Sequence, residues 1–165
     1  MPNSLVDALS AALNTEALTE SAFSGPHDDA LVAAEKNDYS TAIRLWHALA
    51  VHGNASAHYN IGVCYANGYG VAEDYGEATK YYLVAAGQGD AHAQHALGIS
   101  YGLGKGLLQD YVLAHMWLNL AASRYPTSER GRREHAIKAR NLLGAVMTHE
   151  QIAEAQRLAR EWKAK

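Results

Sequence analysis

One cysteine, Cys64, stands in 165 residues, so no intramolecular disulfide can form and a disulfide-paired scaffold is excluded. There are only three prolines and one phenylalanine, which leaves long stretches free of helix breakers. Nowhere do about 18 apolar residues run together, and this excludes a membrane-spanning helix. The first 24 residues lack the basic start of a secretory signal, so the chain is expected to be cytoplasmic, or exported only if a signal was removed. The charged fraction of 19% beside 48% hydrophobic residues excludes general disorder. What the chain does have is alanine throughout, ten tyrosines and nine histidines. That composition predicts closely packed helices with aromatic wedges between them.

Charge is unevenly spread. Residues 1–123 carry 4 Lys or Arg against 12 Asp or Glu, a balance of minus 8; residues 124–165 carry 10 against 5, a balance of plus 5. A basic tail suits phosphate neutralisation. However, Arg130, Arg132 and Arg133 are interleaved with Glu129 and Glu134, the pattern of a solvated helix face. Nucleic-acid or anionic-surface binding is the alternative reading, not the favoured one.

A 36-residue period organises the middle of the chain. Asp38-Tyr39, Asp74-Tyr75 and Asp110-Tyr111 are each followed at one offset by Ala42, Ala78 and Ala114. Gly62 and Gly98, Tyr65 and Tyr101, Gly68 and Gly104, and Gly70 and Gly106 keep the same spacing. Gly62 and Gly98 fall in the first helix of each unit, where a missing side chain lets a second helix approach. Gly68 and Gly70 are placed to leave that helix in left-handed conformations, with Val71 folding back. Asp74 restarts a helix, and Glu77 three residues on gives the spacing of a capping box, as do Thr148 and Gln151. In the second helices, Ala42, Leu45, Trp46 and Leu49 form a stripe at helical spacing. So do Ala78, Tyr81, Tyr82 and Ala85, and Ala114, Trp117, Leu118 and Ala121. No helix could bury such a stripe alone, so the units must stack.

The predicted fold is all-α, an α/α solenoid of antiparallel helix pairs. Residues 1–26 are an arm or an extra helix, 27–125 the repeats, and 126–165 a closing pair with helices near 127–146 and 149–162.

With those residues in place, AHYNIGVCYANGYGVAEDYGEATKYYLVAAGQGDAHAQHALGISYGLGKG resembles the Sel-one-like repeat family, a relative of the tetratricopeptide repeat. Its motifs AxAQxxLGxxY and GxGVxxDxxxA fit across about 27–125, and MTHEQIAEAQRLAREW is similar to the closing helix of many bacterial members. His58, Leu107 and Tyr125-Pro126 depart from the pattern. The resemblance implies a non-enzymatic adaptor or regulatory subunit that binds a protein or peptide in a concave groove lined by the first helices. By resemblance to tetratricopeptide repeats, the groove positions are Ser56, Tyr59, Val63 and Asn67 in one unit and His92, His95, Ile99 and Leu103 in the next. Tyr59, Ile99 and the amide of Asn67 are expected to grip the partner. No Lys or Arg pair stands there to capture a terminal carboxylate. Nothing in the sequence excludes a homo-oligomer.

Catalytic and metal chemistry finds little support. His92-x-x-His95 puts two imidazoles on one helix face, but no third ligand has suitable spacing. No nucleophile elbow, HExxH or phosphate loop is present, and GYG and GLGKG recur as turns. No cofactor is expected. Cys64 reads as a small packed thiol, with an intermolecular disulfide as the alternative.

Overall fold

Residues 7–8, 11, 22–25 and 28–165 are described by a computed structural model; most of the expected arm lies outside them. Among the described residues there are helices and no strands. The first unit pairs α1 (Asp29–Glu35) with α2 (Tyr39–Val51), the second α3 (Ala55–Asn67) with α4 (Tyr75–Gly87), and the third α5 (Ala91–Leu103) with α6 (Tyr111–Arg124). A short 3-10 turn, Thr127–Glu129, leads into α7 (Arg130–Gly144), and α8 (His149–Glu161) ends the helical region. Consecutive helices from α1 to α7 pack on one another in turn, which is the solenoid pattern.

The repeat residues act as their spacing predicts. A Cβ on Gly62 would lie 2.6 Å from the Tyr82 ring, and one on Gly98 2.7 Å from Leu118, so each glycine is the close-approach point within its unit. Gly68 and Gly104 end α3 and α5 at φ 69° and 68°, a conformation that costs a side-chain-bearing residue strain. Gly70 abuts Tyr39, and one period later Gly106 abuts the backbone of Tyr75, so these turns seat each unit on the one before. Val71 joins the apolar cluster of the first unit around Trp46, and Leu107 joins the next cluster around Tyr82.

Helix starts are capped by Asp28, Asp38, Asn54, Asp74, Asp90 and Asp110, whose side chains accept backbone amides three residues on. The expected box at Asp74 and Glu77 is only half made. The amide of Asp74 already donates to the Tyr65 carbonyl at 2.9 Å, as Asp110 does to Tyr101 at 3.0 Å, and Glu77 turns outward to Lys80. At Thr148 and Gln151, where no such loop closure competes, both arms of the box form.

The last two helices depart from a simple pair. Both α7 and α8 pack on α6 instead of chiefly on each other. Trp162, just after α8, meets Trp117 edge-on at 6.1 Å and lies under the Arg124 guanidinium at 4.6 Å. The space left between α6, α7 and α8 is a polar cleft of about 420 Å³ lined by His115, Asn119, Arg140, Asn141 and Gln156 among others.

Candidate peptide-binding face

Ser56, Asn60, Val63 and Asn67 recur at spacings of four, three and four on α3, which places them in one narrow stripe with Tyr59 beside it. Beneath that stripe Ile61 and Cys64 are buried in the core. Burial pushes the Cys64 thiol up to about 12 and leaves it no exposed surface, which suits a packing role and not a disulfide with a second molecule.

The stripe is occupied by the chain itself. The Asn60 carboxamide makes a matched pair of bonds to the backbone of Ser24: its Oδ1 accepts the Ser24 amide at 2.9 Å and its Nδ2 donates to the Ser24 carbonyl at 2.8 Å. The Tyr59 hydroxyl donates to the Ala22 carbonyl at 3.1 Å. Phe23 inserts among Trp46, Tyr39 and Tyr69, with ring centroids 4.9, 6.4 and 6.2 Å away; Tyr39 and Tyr69 stack on each other at 4.8 Å. Gly25, at φ 105°, rests on Ser56, where a Cβ would come within 2.9 Å of the serine Cβ.

One period later, the face of α5 is covered in another way. His92 Nε2 donates to the Glu129 carboxylate at 2.6 Å, and His95 Nδ1 shares a 2.9 Å hydrogen bond with the Tyr125 hydroxyl. The Arg132 guanidinium approaches the same Glu129 oxygen at 3.3 Å. Burial, reinforced by His135, Arg132 and His92, drives the His95 imidazole down to about 3, so it is neutral in the fold. Burial also raises the carboxyl of Asp90.

Of the eight predicted positions, Tyr59, Val63, His95 and Ile99 are buried under the chain's own residues. Ser56, His92 and Leu103 are half-buried, and Asn67 is exposed. The Asn67 Nδ2 donates to the Val63 carbonyl in its own helix. Asn60, which does the gripping, was missed by sequence reasoning. Its signal is a break in the period: the equivalent position in the next unit is Ala96. A carboxamide where the repeat has alanine needs a hydrogen-bonding partner when buried.

The basic tail also differs from expectation. Arg132 is buried, not on a solvated face, because it points from α7 toward Glu129 and α5. Arg130 pairs with Glu134, Arg157 with Glu154 and Glu161, and Arg140 donates to Asn119 at 2.7 Å. These cations are engaged within the chain. Among the described residues no three His, Cys, Asp or Glu side chains converge as a metal site would require, and no helix is long and apolar enough to cross a membrane.

Comparison with known proteins bears on the repeats. The model of the Sel1 repeat matches residues 55–90 and 91–125. This chain carries two Sel1 repeats. Sel1 repeats are in general protein-interaction modules. Among solved structures, a protective antigen of uropathogenic Escherichia coli displaying an SLR fold aligns with a TM-score of 0.68 at 22% identity, over 97% of this chain and 30% of that one. A Sel1 repeat protein from Oxalobacter formigenes aligns with a TM-score of 0.57 at 23% identity, over 80% of this chain and 60% of that one. The chain therefore spans less than two thirds of either protein, and the likeness concerns the fold. No curated protein matches.

Proposed function

We propose that this Sel1-repeat chain is a non-enzymatic interaction module that binds a protein segment along the face of α3, with the C-terminal ends of α3 and α5 extending the contact. One observation carries the reading: the α3 face holds the backbone of Ala22 and Ser24 by hydrogen bonds with Tyr59 and Asn60. A surface that reads main-chain groups and accepts an aromatic anchor has the two ingredients of peptide recognition.

Tyr59 and His95 are too buried for a clean test, since truncating either disturbs the fold itself. Asn67 is exposed at the end of the α3 stripe, whereas Leu103 is half-buried against the cluster of Ile99 and Leu118, so Asn67 is the position to test. The full chain, used as bait in its native cell, is expected to capture a defined protein, and Asn67→Arg to lose it at an unchanged thermal midpoint. Equal capture by the variant would remove this face from the function.

A further inference from the structure

We infer that Ala22–Gly25 is a peptide ligand bound in cis, and that the α3 face takes from a partner protein a segment of the pattern aromatic, small residue, glycine. This rests on the reading of α3 as an interaction surface and names its partner chemistry.

Each position of the bound segment meets a different demand. At Phe23 the cage of Trp46, Tyr39 and Tyr69 offers ring faces and edges within 4.9 to 6.4 Å, a site for a flat apolar group. Phe23 is the chain's one phenylalanine, so no other segment of the chain carries that anchor. At Ser24 the Asn60 carboxamide reads the amide and the carbonyl together, which admits any residue with an N–H and excludes proline. The Ser24 hydroxyl is buried with no hydrogen-bond partner among the described residues, so the position tolerates serine and favours alanine. At Gly25 the positive φ and the contact with Ser56 exclude a side chain.

None of these contacts requires that the segment belong to the same chain. Tyr59 and Asn60 recognise main-chain groups at Ala22 and Ser24, and the cage recognises one ring. A tethered segment competes at a high effective concentration, of millimolar order for a short connection, so a free peptide meets an occupied site. The cis segment therefore raises the affinity a partner must reach, and it selects for partners with the full pattern.

The test uses the full chain and a fluorescein-labelled peptide of the sequence of residues 18–27, followed by anisotropy. Two variants vacate the site and leave every α3 and cage residue in place: Phe23→Ala removes the anchor, and Gly25→Val ejects the backbone by strain. Both are expected to bind the peptide at least about tenfold more tightly than the unaltered chain. The peptide carrying Phe→Ala is expected to bind neither, and the peptide carrying Ser→Ala to bind both more tightly. Should Phe23→Ala unfold the chain, Gly25→Val decides alone. Equal affinity for the unaltered and vacated chains, or indifference to the loss of the peptide's phenylalanine, overturns the inference. If that happens while Asn67→Arg still abolishes partner capture, the interaction module stands and only the pattern and the cis ligand fall.

Discussion

The faces of α3 and α5 are one repeat apart and in register, yet they hold their cover by different chemistry. On α3, Tyr59 and Asn60 bind the main chain of Ala22 and Ser24. On α5, the equivalent of Tyr59 is His95, the equivalent of Asn60 is Ala96, and the partners are the side chains of Tyr125 and Glu129. The α5 cover is built into the turn between α6 and α7 and is fixed by the helices on both sides. The α3 cover needs only a backbone and one ring. Main-chain recognition is transferable to another polypeptide, whereas paired side chains within a turn serve the fold. On the proposed reading, the unit of α5 is committed to structure and the unit of α3 keeps the capacity to exchange its ligand.

The largest effect that separates the two faces is expected at Tyr125. Tyr125→Ala removes a buried ring and leaves His95 without its partner, and should lower unfolding stability by about 3 kcal/mol or more in urea titration. Phe23→Ala, at a half-buried ring, should cost about half as much. Similar losses at both sites would erase the distinction between a built-in and an exchangeable cover.

Next in size is the pH dependence lodged on α5. His95 is held near 3 in the fold against about 6.5 unfolded, so its folded pKa is depressed. For a base this means that stability is complete above about 6.5 and is lost as pH falls toward 3, because the unfolded chain takes up the proton first. Between pH 7 and pH 5 the loss should be about 2 kcal/mol, and His95→Gln should flatten that slope. The buried His115 imidazole, also depressed, adds to the slope, while the raised Asp90 carboxyl opposes it, which makes the His95→Gln control necessary.

A smaller effect is expected at Asn60. Asn60→Ala removes two hydrogen bonds from the docked segment, about 1–2 kcal/mol of docking, while the helices beneath keep their packing. Chymotrypsin should then cut after Phe23 several-fold faster, with little change in the thermal midpoint. The smallest effect carries the opposite sign: Ser24→Ala removes a buried hydroxyl that has no partner among the described residues and should slow the same cleavage, a gain of up to about 1 kcal/mol.

Much of this architecture was legible in the sequence, because the features that build it are periodic. Gly62 and Gly98, Gly68 and Gly104, and the Asp-Tyr helix starts announce themselves by recurring, and each serves the same contact in each unit. What the sequence obscured was aperiodic. Asn60 breaks the repeat, and its partner lies 36 residues earlier in a segment with no helical pattern to mark it. Arg132 reads as a surface residue because its neighbours alternate in charge, and only the turn after Tyr125 aims it at Glu129. The capping box at Asp74 has the right spacing but loses to the loop-closing bond that the Asp74 amide donates to the Tyr65 carbonyl. The packing of α8 on α6 depends on where Trp162 meets Trp117 and Arg124, which local pattern does not encode.

Hydrogen exchange of the Ser24 amide tests the central claim most directly, since that one proton is donated to the Asn60 carboxamide. Protection of Ser24 in the unaltered chain, lost in Asn60→Ala while Ile61 and Cys64 in α3 keep theirs, is the result expected for a peptide held in cis. Free exchange at Ser24 in the unaltered chain, or protection that survives Asn60→Ala, would contradict it.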